Sequence, residues 1–161
     1  MGGSGAVKFD VYLRLAQIAA IQSGFYLFLS LILVLLCSIW GLNPHLGLIL
    51  SSLTVDFSYS QGWTPVAAYL IACFPVTFAI YLCANRAREC LDFACTVYVL
   101  HLFAAMSYMC RFPTEAAWWI VILISVISVS VGSEFLCIRR KALKKRNSNL
   151  DSIALSQIVS K

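Results

Sequence analysis

Residues 116–146 read AAWWIVILISVISVSVGSEFLCIRRKALKKR, and they are the most informative part of the chain. Ala116–Ile138 holds a single charged side chain, that of Glu134, and six Lys or Arg residues follow between positions 139 and 146. At ~1.5 Å per residue, the apolar part forms a helix long enough for the roughly 30 Å hydrocarbon core of a bilayer. Lipid cannot satisfy the backbone of an open strand, so such a run is helical. The stretch therefore predicts a transmembrane helix followed by a basic anchor.

Outward from this stretch, the rest of the chain has the same apolar character. Of its 161 residues, 61% are hydrophobic and 12% are charged, against about 45–50% and ~25% in soluble domains. This composition excludes a monomer that folds in water, and the length excludes a large transporter within one chain. We predict an all-α fold, a polytopic membrane protein with a four-transmembrane-helix bundle. The predicted helices are 15–42, 63–84, 91–110 and 116–138.

The cations predict the orientation of this bundle. The amino end, the turn between the second and third helices and the tail hold 11 of the 12 Lys and Arg residues, whereas the other side holds only Arg111. By the positive-inside rule, both termini face the cytosol. The first apolar run is too long for a signal-peptide core, so we expect a retained anchor. The predicted segments are a cytosolic amino-terminal segment, 1–14, whose first five residues resemble a linker, a membrane domain, 15–138, and a basic cytosolic tail, 139–161.

Three ionisable residues lie inside the predicted spans: Asp92, His101 and Glu134. Such residues mark candidate functional sites. Asp92 and His101 are nine residues apart, so they point to opposite faces of one helix. Two roles remain open for Asp92 and Glu134. They either form ion pairs at the cytosolic boundary or line a groove that binds a partner. For His101, an interhelical hydrogen bond is favoured over a relay role. The arginines at the depth of the acids are Arg86, Arg88, Arg139 and Arg140.

Other residues in the spans predict packing. Gln17 and Gln22 are expected to face neighbouring helices, and Pro75 is expected to bend the second helix. Ser125, Ser128 and Gly132 form a stripe of small residues that favours close packing within the molecule, with dimerisation as the alternative.

The sequence shows no pattern typical of an enzyme, a metal site or a cofactor site. The seven cysteines lack a C-x-x-C pair, and the two histidines are far apart, so we expect neither metal nor cofactor. The cysteines are interpreted as packing residues, with palmitoylation of Cys83, Cys90 or Cys137 and a Cys37–Cys110 bridge left open. The basic cluster is expected to contact anionic lipid head groups rather than nucleic acid: Arg139, Arg140, Lys141, Lys144, Lys145 and Arg146. Beyond it, residues 147–161 are expected to be disordered or a short surface helix.

The order of several short motifs resembles the Sys-one family of Golgi integral membrane trafficking proteins. The resemblance covers about residues 9–139, and it departs from the family at Val11, where a proline is usual, and at Ser133, where a glycine is usual. Its motifs are Cys90-Leu91-Asp92-Phe93, Thr96, His101-Leu102, Arg111-Phe112-Pro113, Trp118-Trp119 and the run from Glu134 to Arg139, with Gln17-Ile18, Gln22 and Phe25-Tyr26 nearer the amino end.

This resemblance implies a four-span protein of the Golgi membrane, at the trans-Golgi network. It implies a receptor without enzymatic activity for an Arf-related small GTPase with an acetylated amino terminus, which promotes recruitment of an Arf-like GTPase and of golgins. From depth and charge, we expect the docking surface to comprise Arg86, Arg88, Asp92, Glu134 and Arg139. Two alternatives are a small oligomeric transporter or channel that uses Glu134, Asp92 and His101, and a membrane enzyme that pairs His101 with an acid.

Overall fold

The computed structural model describes residues 3–58, 60–84 and 87–159 and contains only helices, turns and loops in these ranges. Each of the four long helices includes a segment long and apolar enough to cross a membrane. The predicted all-α, four-helix polytopic fold is confirmed. The helices are α1 (Gly3–Trp40), α2 (Gly47–Leu50), α3 (Trp63–Cys83), α4 (Ala87–Met109) and α5 (Ala116–Val159), with short 3-10 turns at Ser52–Thr54 and Ser60–Gly62.

Three of the long helices extend beyond the predicted spans. Helix α1 begins at Gly3 instead of Leu15, α4 begins at Ala87 instead of Leu91, and α5 continues from Ile138 through the basic tail to Val159. The tail contains neither Gly nor Pro and is rich in Lys, Arg, Leu and Ala, which have high helix propensity. The membrane helix therefore continues without a break, where the sequence predicted disorder or a separate short helix.

The helix ends use specific backbone geometry. Gly41 follows α1 with φ of 66°, and the backbone N–H of Leu42 donates to the carbonyl of Cys37 at 2.8 Å. This is the Schellman arrangement, and its left-handed residue favours glycine. Between α4 and α5, the indole N–H of Trp119 donates to the carbonyl of Pro113 at 3.0 Å. This short connection makes α4 and α5 antiparallel neighbours.

The long helices form a ring in the order α1, α3, α5, α4. Helices α1 and α4 close the ring, but they contact each other much less extensively than the other neighbours do. The small-residue stripe of α5 lies against α3: Ser125 is fully buried, and a Cβ on Gly132 would lie 3.1 Å from Cγ2 of Thr77. This contact is packing within the molecule. Helix α3 continues through Pro75.

The segment between α1 and α3 folds back against the bundle. Its helix α2 buries Gly47, Leu48 and Ile49, and the hydroxyl of Tyr69 donates to the carbonyl of Ile49. Tyr69 lies six residues inside α3, or about 9 Å along the helix axis. Non-helical backbone is tolerated at this depth only where the protein buries it. The predicted spans left residues 43–62 as a loop between the first two membrane helices.

Candidate functional site

The structure separates the polar groups of the spans into two clusters at opposite ends of the bundle. We call the end of the bundle that holds α2 the far end. The opposite end, which we call the basic end, holds Arg14, Ala84, Glu89 and Arg140. The far-end cluster is centred on His101, and the basic-end cluster contains the residues predicted to bind a partner.

His101 is completely buried and bonded through both ring nitrogens. Its Nδ1 lies 3.2 Å from the hydroxyl of Tyr26, and its Nε2 lies 2.8 Å from the hydroxyl of Tyr69. The hydroxyl of Tyr69 donates its single proton to the backbone carbonyl of Ile49, so the hydroxyl oxygen accepts from Nε2–H of His101,. Nδ1 of the neutral ring then accepts from Tyr26. The hydrogen-bond network assigns this tautomer.

Aromatic rings complete the packing around His101. The ring of Phe25 meets it edge-on at 5.4 Å between centroids, and that of Trp118 stacks on it at 6.2 Å. These separations are in the range where aromatic contacts are favourable. We call His101, Tyr26, Tyr69 and Trp118 the histidine hub. It joins all four long helices and, through Ile49, α2.

The histidine hub leaves His101 no free nitrogen for acid–base chemistry. The interhelical hydrogen bond expected at His101 is present, with two tyrosines as partners. Sequence reasoning did not single out Tyr69. The signal available was the presence of tyrosines inside apolar spans, because a buried imidazole needs a partner at each nitrogen.

The predicted glutamines both lie on α1 and are half-buried. Gln22 is one turn before Tyr26, on the side of α1 that faces the bundle. Its Oε1 is buried, and within the described part of the chain it accepts no hydrogen bond. Gln17 lies nearer the basic end. Both positions agree with the expectation that these side chains face other helices.

At the basic end, Arg14 and Glu89 form an ion pair at 3.0 Å between Nη2 and Oε1. It is the one ion pair among the described residues. The Arg14 side chain is 57% exposed, so the pair contributes at most about 1 kcal/mol. The pair joins α1 to α4 between residues that are 75 positions apart in the sequence, and the same separation holds for Tyr26 and His101. Helices α1 and α4 therefore run parallel in one register.

Arg140 binds the end of α3 rather than an acid. Its guanidinium donates to the carbonyl of Ala84 at 2.8 Å and lies 4.8 Å above the ring of Tyr81. A cation at this position satisfies a terminal carbonyl and the negative end of the helix dipole. Arg139 instead lies 5.6 Å from the ring centroid of Phe135, on its own helix. The remaining predicted lipid-contact residues are exposed along α5: Lys141, Lys144, Lys145 and Arg146.

Asp92 and Glu134 are both exposed. Neither forms an ion pair with a cation of the described ranges, so the bonds considered with Arg88, Arg139 and Arg140 are not made. Arg86 lies outside the described residues. The two acids therefore remain available for an external partner.

The remaining predicted docking residues fall on two helices. Arg88 and Asp92 are four residues apart and share one face of α4. Cys90, which contacts α5, points about 200° around the helix from Asp92, so this face points away from α5. Glu134 and Arg139 lie on α5. The predicted surface is thus two patches, one on α4 and one on α5.

Comparison with known proteins gives the family. Residues 7–145 match the family model SYS1, described as "Integral membrane protein S linking to the trans Golgi network". The chain belongs to the SYS1 family. It is a multi-pass integral membrane protein of the Golgi, at the trans-Golgi network.

Two relatives in the SYS1 family carry the name Protein SYS1 homolog. The one from Dictyostelium discoideum is 27% identical over 150 residues, which are 91% of this chain and 64% of that protein. The one from Nematostella vectensis is 30% identical over 138 residues, which are 84% of this chain and 87% of that protein. No solved structure matches the chain significantly.

The residues of the SYS1-like motifs fall into two groups, those buried inside the bundle and those exposed on its surface. His101 and Trp118 belong to the histidine hub, and Cys90 and Cys137 are buried where α4 meets α5, with their Sγ atoms 3.4 Å apart. These residues hold the bundle together. Asp92 is exposed and takes no part in that packing.

The cysteines of this SYS1-family chain act mainly as packing residues. Cys90 and Cys137 are buried and so are shielded from acylation, whereas Cys83 is half-buried. The bridge considered between Cys37 and Cys110 is not formed, since both thiols are free. Among the described residues, no group of His, Cys, Asp and Glu side chains is arranged to hold a metal ion.

The Cys90–Cys137 contact predicts a specific cross-link. In a variant that keeps only these two cysteines, mild oxidation of isolated membranes with copper phenanthroline should give an intramolecular disulfide, because a small shift closes the gap to bonding distance. Loss of maleimide labelling after denaturation measures it. A matched variant that keeps Cys95 and Cys137 should stay reduced, since Cys95 is exposed. Equal oxidation of both variants would contradict the packing of α4 on α5.

Proposed function

We propose that this SYS1-family protein is a membrane receptor that recruits an Arf-related small GTPase to the Golgi. Family membership supports the location, and the free charged groups of the basic end support binding. The recruited GTPase would then promote recruitment of an Arf-like GTPase and of golgins, and so support vesicle trafficking.

The observation that carries the proposal is the contrast between the two polar clusters. The histidine hub is buried and bonded within the molecule, so it offers nothing to a partner. Asp92 and Glu134, in contrast, are exposed and unpaired within the described residues. Charged groups near a membrane helix end are costly unless they have partners or water. The proposed docking surface comprises two patches, Arg88 and Asp92 on α4 and Glu134 and Arg139 on α5, together with Arg86.

The chemistry of the partner explains why a receptor is needed. An amphipathic amino terminus that is acetylated and carries no acyl chain binds membranes weakly, because stable anchoring takes two signals. A protein docking site supplies the second. The exposed cations of α5 add attraction to anionic lipids, at roughly 1 kcal/mol per charge near the surface. In this proposal, the docking surface faces the cytosol, as the positive-inside rule predicts from the sequence.

The geometry favours this receptor over a transporter or an enzyme. His101 is separated from Asp92 by nine residues, or about 13 Å along α4, and lies in the other cluster from Glu134. A proton relay or a catalytic pair requires such groups within hydrogen-bond reach. Both nitrogens of His101 are already bonded to tyrosines.

Binding to matched GTPase preparations tests the receptor proposal. The full chain is purified in mild detergent and immobilised, and the same Arf-related GTPase is offered with and without amino-terminal acetylation. We expect retention of the acetylated form and much weaker retention of the other. An unrelated four-span membrane protein in the same detergent serves as the control. Equal retention of both forms, or of neither, would reject the proposal.

A further inference from the structure

A groove lies beneath α2 at the far end, where α1 and α4 separate. Its volume is about 490 Å³, and residues of all three helices line it. Its position follows from the packing, because α1 and α4 contact each other less than the other neighbouring helices do. The lining includes Tyr26, Leu27 and Ser30 of α1, Leu46 just before α2, Leu50 at the end of α2, and Ala104 of α4.

The groove is apolar and offers almost no hydrogen-bond donor. Its lining contains no Asp, Glu, Lys, Arg or His side chain. Both hydroxyl groups in the lining already donate hydrogen bonds within the protein. Ser30 donates to the carbonyl of Leu27 at 3.0 Å, and Tyr26 donates to His101 in the assigned tautomer. A charged or strongly polar ligand would therefore lose its hydration without compensation.

The depth of the groove identifies what fills it. Ala104 lies five residues, or about 8 Å, before the end of α4, and Tyr26 is bonded to His101, eight residues or about 12 Å before that end,. Both heights are within half of the roughly 30 Å hydrocarbon thickness from the far end, so the groove lies beside the hydrocarbon core of the far leaflet. The surrounding medium there consists of lipid chains, and water gains no partners in an apolar groove.

We propose that this groove binds one acyl chain of a phospholipid from the far leaflet. The chain lies between α1 and α4, and the head group stays outside, beyond Leu46, which is 57% exposed. The bound chain completes the packing under α2. This binding site is independent of the proposed docking of a GTPase, which uses the opposite end of the bundle.

Photo-cross-linking of the full-length protein tests this proposal. The protein is reconstituted into vesicles of phosphatidylcholine that contain a trace of phosphatidylcholine with a diazirine in one acyl chain. After illumination, labelled peptides are identified by mass spectrometry. We expect the label to concentrate in the α1 and α2 peptides that line the groove.

Matched variants separate a site from general lipid contact. Ala104→Trp fills the groove and should reduce labelling of these peptides to background, and Leu27→Trp, at the exposed rim, should reduce it in part. Leu123→Trp places the same ring on the exposed face of α5 and should leave labelling unchanged. Gel filtration and circular dichroism check that each variant is folded, and if Ala104→Trp is not, Leu27→Trp decides. Even labelling of α5 and the groove, persistence in the folded groove variants, or labelling by a diazirine sterol in place of the phospholipid would overturn the proposal.

Discussion

Replacing His101 with leucine should destabilise this protein by about 2–4 kcal/mol, because the buried hydroxyl of Tyr69 and the half-buried hydroxyl of Tyr26 each lose a hydrogen-bond partner. Tyr26 would lose its acceptor, and Tyr69 would lose the donor that its oxygen accepts from. An interhelical hydrogen bond in a membrane contributes about 0.6 kcal/mol on average, so the larger part of the cost comes from buried groups left unsatisfied. Denaturant unfolding in mixed micelles, followed by circular dichroism, measures the loss.

A mutant cycle separates this network effect from a change in side-chain volume. In a Tyr26→Phe, Tyr69→Phe background, the hydroxyl groups are already absent, so His101→Leu should cost much less than in the native chain. Val97→Leu, at another fully buried position of α4, controls for repacking. If His101→Leu is equally costly in both backgrounds, the hydrogen-bonded chain through the histidine hub does not contribute as assigned.

The four spans were predictable from the sequence because charged side chains are costly in lipid. The predicted starts at Trp63 and Ala116 coincide with the observed starts of α3 and α5. The same reasoning could not find the end of α5, since charge marks where a helix leaves the membrane and not where the helix stops. Helix propensity governs the stop, and the tail offers no breaker before Val159.

The contacts between helices could not be predicted from residue spacing alone. Arg14 was counted only as a cation, and its partner Glu89 was not considered. Glu89 lies near the start of α4 and Arg14 near the start of the span within α1, so the pair is recognisable only when α1 and α4 are known to be parallel neighbours. The fold-back of α2 was missed for a similar reason. The segment is held by the backbone carbonyl of Ile49. Every residue has a backbone carbonyl, so the residue type at this position does not reveal the contact.

Charge reversal at Arg86 and Arg88 together should release the Arf-related GTPase from the Golgi to the cytosol, if the receptor proposal is correct. The double change lowers the net charge of the protein by four units, and Arg88 shares a face of α4 with Asp92. Like charges suppress binding to an acidic partner surface. Arg88 is exposed and makes no ion pair within the described chain, so its reversal breaks no internal contact. Fractionation and imaging of the tagged GTPase measure the release.

The histidine hub should be unaffected by that change, because it lies at the far end of the bundle. The variant is therefore expected to stay in the Golgi with native stability, so that loss of the GTPase reports lost docking and not lost receptor. Arg111→Glu is the matched control, since this cation lies beyond the far end of α4. It should leave the GTPase on the membrane. Retention of the GTPase by the double variant, or equal release by Arg111→Glu, would place docking elsewhere on the protein.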